Sequence, residues 1–487
     1  MKTRSSKYLS LLVLLFAVTG CKKYVEGDNI NVNPNASSQP TLKTLLPAIE
    51  DATATNHYTV AYSTSMFAQQ MAAYTAGPIN DDRHNDVRMS SFTNLYQNGM
   101  TNAKLMIDLA ATQNSPYYSA IGKILLVINL SLATDIYGDV PFSNAFKAPA
   151  VLYPVYDKQQ DLYPLMHQYL DQAITEAATP VVTGAIVPAG DDLIFAGAMA
   201  SWIETAWFLK ARLYMHTTKK GAVAAANSAL AAMANAFKPT SKDCQLVYNT
   251  RNLNPWNSNI AKKVKTGNFF IAPSKRFTDI LNGTAYAGLV DPRISKMMDK
   301  RTAVAYTGIA NGVGTGGSVD ITEETYYGKD ITPIFIATYA EQKLMEAEAR
   351  FLSEGGTVTS TGASQAAYDA YLAGITAHMN KLSVDATART TYLASPFVGT
   401  TAAGLKLEQI MKEKQTALYL HPEAWVDVRR YDYNPAIFKG MALPASQAAA
   451  MAGQWIRRSG LPNEELSRNP NARLSIKPLT EKVWWDQ

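Results

Sequence analysis

Cysteine is almost missing from this chain: Cys21 and Cys244 are the only two in 487 residues. A disulfide framework is therefore unavailable, and stability has to come from packing. Histidine is sparse as well. His57, His84, His167, His216, His378 and His421 are scattered, with no His-Glu-x-x-His pair to hold zinc. No Gly-x-Ser-x-Gly elbow is present to carry a nucleophilic serine. The glycines Gly308, Gly312, Gly314, Gly316 and Gly317 lack the Lys-Ser/Thr that a phosphate loop needs, so they read as a tightly turned loop. Net charge is low too. The formal value is +5, three of those charges are Lys2, Arg4 and Lys7, and the rest of the chain carries +2. That balance gives no purchase on nucleic acid. Past the first twenty residues no run of 18 uncharged apolar residues occurs, so no membrane-spanning helix is expected. The adjacent acids Asp81-Asp82 and Asp191-Asp192 read as solvated loop carboxylates, the second pair sitting where it favours the start of a helix. No enzymatic activity is expected.

What is present begins at the first residues. A basic start, an apolar stretch from Tyr8 to Val18 and the small residues Thr19-Gly20 precede Cys21. That order describes a secretory signal, and a cysteine directly after the cut marks a bacterial lipoprotein. Residues 1–20 are read as the leader. Cys21 is read as the lipidation site, carrying diacylglycerol and palmitate. Residues 21–40, rich in Asn with Pro34 and Pro40, form an extended tether. Cys244 is left as a small core residue.

The body, 41–487, is read as a single unit dominated by helix. Ile121, Ile124, Leu125, Ile128, Leu132 and Ile136 follow the three-and-four spacing of an apolar stripe and predict a helix over Tyr118–Tyr137, stopped by Gly138 and Pro141. The same reasoning predicts helices over 196–216, 334–352 and 405–420, and further ones at 42–74, 91–111, 161–178, 222–237 and 364–382. Between 238 and 333 Asn, Gly, Thr and Tyr dominate, and that stretch reads as an irregular, loop-rich insertion. The helical scaffold is thus expected at about 41–237 and 334–487. Paired helices with short turns suggest tetratricopeptide-like packing, although no 34-residue period holds.

Several short segments then resemble one family in order along the chain. They are Thr134-Asp135-Ile136-Tyr137-Gly138-Asp139-Val140-Pro141-Phe142, Trp202 with Phe208-Leu209-Lys210-Ala211-Arg212-Leu213, and Asp291-Pro292-Arg293-Ile294. Tyr306 to Gly312, Tyr339 to Ala349, Glu423 to Arg430, and the closing Val483-Trp484-Trp485-Asp486 continue the series. Behind a lipobox, this order is similar to the SusD-like (RagB/SusD) outer-membrane lipoproteins of Bacteroidetes type, in the subgroup described as starch-binding. The resemblance implies an all-α fold, a tetratricopeptide-like superhelix with an irregular ligand-binding lobe. It implies a protein anchored to the outer membrane, facing the cell surface, that captures an oligosaccharide or an oligopeptide and passes it to a TonB-dependent SusC-like barrel.

Sugar binding favours aromatic plates edged with amides, carboxylates and guanidinium groups. On that chemistry the candidate ligand-binding residues are Tyr74, Asp82 and Arg83 in the turn-rich stretch after the first long helix, with Asn80, Asp81 and Asn85 beside them. In the insertion they are Trp256, Asn257, Tyr306, Tyr326 and Tyr327. Arg429 and Arg430 are read as structural, tied to carboxylates such as Asp427. No metal or other cofactor is expected, and nothing in the chain decides for or against calcium. The competing reading is an envelope scaffold that holds a protein partner on its helices; a lipid-anchored glycosidase would need two carboxylates facing one another across a cleft. An exposed aromatic platform in 238–333 favours solute capture, and a buried one favours the scaffold.

Overall fold

The computed structural model of the chain describes residues 40–74, 81–181 and 183–487. Cys21, the leader, the tether and Asn80 lie outside the described residues. The first long helix, α1 (Leu42–Phe67), is followed by a short strand β1 (Met71–Ala73), where the sequence predicted helix through 74. Eight further helices build a continuous array: α2 (Asn102–Thr112), α3 (Pro116–Tyr137), α4 (Gln159–Ala177), α5 (Met199–His216), α6 (Ala222–Met233), α7 (Tyr339–Ser353), α8 (Gln365–Lys381) and α9 (Leu407–Ala417). Each packs on the next, including α6 directly on α7 across more than a hundred intervening residues. The array is therefore of the tetratricopeptide-like kind, with its repeat interrupted in sequence but not in space. That interruption is why no fixed period is visible in the chain.

Helix α3 forms the centre of this framework. Pro116 opens it where no backbone donor is needed, and Gly138 closes it at φ +81°, a conformation that suits glycine. It is long and apolar enough to cross a membrane, but nearly all of it is buried inside the fold. Its few polar side chains are matched: Asn129 donates to Thr53 Oγ1 at 2.8 Å and accepts from Asn56 Nδ2 at 2.8 Å. Satisfied in this way, the interior amides add specificity without an unpaired polar group.

The predicted helix over 334–352 divides in two. Ile334–Ala337 is a strand, β6, and α7 begins only at Tyr339, capped by the Thr338 hydroxyl accepting from the Glu341 amide at 3.1 Å. Pro333 precedes a β-branched and aromatic run that suits a pleated surface. Its partner is β4 (Cys244–Leu246), antiparallel, with Gln245 opposite Phe335. Cys244 is wholly buried there, and burial pushes its thiol well up, as suits an inert filler. The stretch between α6 and β6 otherwise holds short helical turns and strand β5 (Ile271–Pro273), which pairs antiparallel with β1. Strands β2 (Val140–Pro141) and β3 (Tyr156–Asp157) form a third ribbon, two residues long, so among the described residues strand is confined to three short pairs.

Candidate functional site

A cleft of about 850 Å³ opens where the β4–β6 ribbon meets α8 and the start of α7. Period-two alternation turns Gln245 and Phe335 to it, and the turn at 326–328 brings Tyr326 beside Phe335. The two rings are nearly parallel, 7° apart with centroids 6.3 Å from one another. Both are half-buried and edge the cleft, and with Tyr339 they make an apolar plate. Burial pushes the Tyr326 hydroxyl up to about 12. Helix α8 supplies the opposite wall with Thr376, Asn380 and Lys381. The Lys381 ammonium sits 4.1 Å from the Phe335 ring centre and 2.6 Å from Asp243 Oδ2. Flat apolar surface bordered by amides and hydroxyls fits a ring-shaped polar solute. Among the described residues, Asp243 is the one carboxylate lining the cleft.

Of the residues picked out in the sequence, Tyr326 lies in this cleft. Trp256 is inside the fold, its ring edge-on to Tyr58 at 4.8 Å. Asn257 is buried and donates from Nδ2 to the Gly328 carbonyl at 2.6 Å. Tyr327 is buried, edge-on to Tyr419 at 5.3 Å, with its hydroxyl 3.3 Å from His378 Nε2. Trp256 and Tyr327 join the insertion to α1, α8 and the end of α9, while Asn257 ties two of its own turns together. Asp82 is buried too: it accepts from Asn311 Nδ2 at 2.7 Å and from the Gly312 amide, and burial raises its carboxyl above the usual range. Gly312 is at φ +81°, and a Cβ there would meet the Ala445 carbonyl at 1.7 Å, so the glycine loop is held by close backbone approach. Arg83 is exposed beside Asp82. Tyr74 is half-buried against Phe269 at 4.6 Å, and Tyr306 is half-buried with the Lys300 ammonium 5.6 Å from its ring. Sequence reasoning missed Gln245, Phe335, Asn380 and Lys381. The one available signal was Pro333, which breaks the helical stripe just before Phe335.

Arg430 is tied to Asp427 at 2.5 Å and to Glu348 at 2.6 Å. Arg429 is not. Its guanidinium lies over Trp425 at 3.6 Å and Trp485 at 4.6 Å and donates to the carbonyls of Asp135 and Arg457. The pair before α5 also acts differently from a helix-terminus charge. Asp192 accepts from the Ile194, Phe195 and Gly197 amides and from Trp202 Nε1, tying the loop that leads into the helix.

Asp135, His216 and Glu423 converge in the interior, with potential ligand atoms within 4.8 Å of one another. Their atoms already have protein partners. His216 Nε2 is 2.8 Å from Glu423 Oε2, and Asp135 Oδ1 accepts from the Tyr163 hydroxyl at 2.9 Å and from Trp485 Nε1 at 2.8 Å. Burial works to raise the Glu423 carboxyl, but His216 and Arg212 outweigh it and hold it well below the usual range. The cluster is a buried hydrogen-bonded network. A second cavity, an open groove of about 830 Å³, runs along α4 and α5 between His167, Tyr214 and Trp484.

The family described as "starch-binding associating with outer membrane" matches residues 34–462. The chain belongs to this SusD-like family. A chitin-binding protein is 24% identical, with 90% of this chain and 99% of that one covered at a TM-score of 0.69. A chitin-binding SusD homologue from Flavobacterium johnsoniae is 19% identical over 92% of this chain and 98% of its own, TM-score 0.71. A SusD/RagB family protein from Bacteroides thetaiotaomicron is 18% identical over 92% and 99%, TM-score 0.71. At these identities the likeness establishes the fold. None of the curated proteins compared with the chain matches it.

Proposed function

We propose that this chain is a glycan-binding lipoprotein of the outer membrane that captures an oligosaccharide and delivers it, unaltered, to a TonB-dependent SusC-like barrel. The carrying observation is the half-buried, near-parallel Tyr326–Phe335 plate lining an 850 Å³ cleft, in a member of a family described as starch-binding. Two chitin-binding proteins of the same fold support a saccharide over an oligopeptide. Diacylglycerol and palmitate on Cys21 would hold the protein at the membrane, with the body facing the cell surface. Calorimetric titration of the full-length lipoprotein in detergent against malto-, cello- and chito-oligosaccharides tests the binding; silence across all three series overturns it. Co-purification with a SusC-like barrel tests the partner, and Cys21→Ala, which must release the protein from the membrane, tests the anchor.

The scaffold reading draws on the burial of Trp256 and Tyr327 and on the open groove beside Trp484. It predicts that a protein partner is lost when Trp484 and Tyr214 are replaced, with oligosaccharide binding absent throughout.

A further inference from the structure

The cleft holds two charged side chains, and they cancel. Among the described residues lining it, only Asp243 and Lys381 are ionic, and Asp243 Oδ2 lies 2.6 Å from the Lys381 ammonium. The same carboxylate has a second task. Its Oδ1 accepts from the Tyr339 amide at 2.8 Å, the first backbone donor of α7. A helix start and a lysine are the two features of the cleft that attract an anion. One carboxylate occupies both. Thr338 takes the third donor, on Glu341, at 3.1 Å, so two of the first three amides of α7 are already engaged.

The placement of Lys381 sharpens the consequence. Its ammonium rests 4.1 Å from the centre of Phe335, the ring that forms half of the aromatic plate. A sugar lying on that plate has the ion pair beside it. An uncharged sugar finds a donor and an acceptor for its hydroxyls there. A uronate or sulfate ester meets the Asp243 carboxylate and would have to displace it from both Lys381 and α7, at the cost of leaving a partly buried carboxylate unpaired.

We propose that Asp243, by covering Lys381 and the start of α7 together, restricts this cleft to uncharged glycans and excludes uronic-acid and sulfated ones. The proposal rests on the reading of the cleft as the glycan site, and the test separates the two. Full-length protein is titrated with neutral malto-, cello- and chito-oligosaccharides and with oligogalacturonate, for wild type, Asp243→Asn and Lys381→Gln. Asparagine keeps an oxygen for the Tyr339 amide but frees the lysine charge. The expected result is neutral binding alone in wild type, with oligogalacturonate affinity rising at least about tenfold in Asp243→Asn and falling again as salt is raised. Lys381→Gln, which keeps the test available if Asp243→Asn does not fold, removes the cation that an anion would need and should still refuse oligogalacturonate, whatever it does to neutral affinity. Wild type binding oligogalacturonate as tightly as a neutral series overturns the proposal while leaving the glycan site intact. So does an Asp243→Asn variant that gains nothing, or a Lys381→Gln variant that binds the anion. Binding of no saccharide by any form overturns the glycan site, and the proposal with it.

Discussion

Asp291 and Arg293 grip each other through two side-chain hydrogen bonds, Nε to Oδ1 at 2.9 Å and Nη2 to Oδ2 at 2.6 Å, and neither exposes any side-chain surface. Arg293 also pairs with Glu413, Lys412 lies 3.0 Å from Asp291 Oδ2, and the Tyr392 hydroxyl donates to Glu413 Oε1 at 2.8 Å. This knot fastens the insertion, which carries Asp291 and Arg293, to α9, which carries Lys412 and Glu413. A planar guanidinium with several donors suits such a junction better than a lysine would.

Arg293→Met removes one cation and leaves two buried carboxylates with a single lysine. The expected loss is about 3–5 kcal/mol of stability, seen as a lower urea midpoint. A midpoint within error of wild type would show that the knot contributes little.

Acid should weaken the fold in two stages. Burial pulls His421 down to about 3 and His84 and His167 to about 4, against 6.5 when unfolded. From pH 6.5 downward the unfolded chain therefore binds protons that the folded one refuses, and stability falls with pH. Glu348 adds a second window. Burial works to raise it, but Arg430 and Lys414 prevail and hold it at about 2, against a usual 4.5. Its contribution is complete above pH 4.5 and is lost as pH falls toward 2. Urea unfolding at pH 7, 5.5, 4 and 3 checks this. His421→Asn should remove that residue's share of the first window, leaving the part due to His84 and His167, and Glu348→Gln should flatten the second.

Two aromatic replacements should part company. Trp256→Ala empties a packed interior site and is expected to cost about 3–5 kcal/mol of stability. Tyr326→Ala removes half of the plate from a half-buried position. It should leave the melting temperature near wild type while weakening oligosaccharide binding by roughly three- to tenfold, the worth of one ring contact. Melting curves and titrations of the two variants side by side make the comparison.

The residues that carried the family resemblance turn out to be framework. Asp291 and Arg293 form the buried knot, Thr134 Oγ1 donates to the Gly138 carbonyl at 2.6 Å at the end of α3, and Glu348 joins Arg430 and Lys414. Such groups are legible because burial leaves them few alternatives. The helices were legible for the same reason, since a packed face needs a regular apolar stripe. The cleft was not. Tyr326, Phe335, Gln245, Asp243 and Lys381 come from a turn, two strands, a loop and a helix end, and only a tertiary strand pairing makes them neighbours. Tyr326 and Tyr327 are adjacent in the chain, yet one lines the cleft and the other is buried against Tyr419. Composition cannot separate two such tyrosines. Ile334 to Ala337 misled for a related reason: four apolar residues before a helix extend its stripe unless Pro333 and Thr338 are read as its boundary.

Hydrogen–deuterium exchange of the full-length protein, with and without a saturating neutral oligosaccharide, locates the glycan on the molecule. New protection is expected over 241–247, 326–340 and 372–381, the segments that line the cleft. Protection confined to the neighbourhood of Tyr74, Arg83 and Tyr306, or none at all under saturating ligand, would contradict this placement.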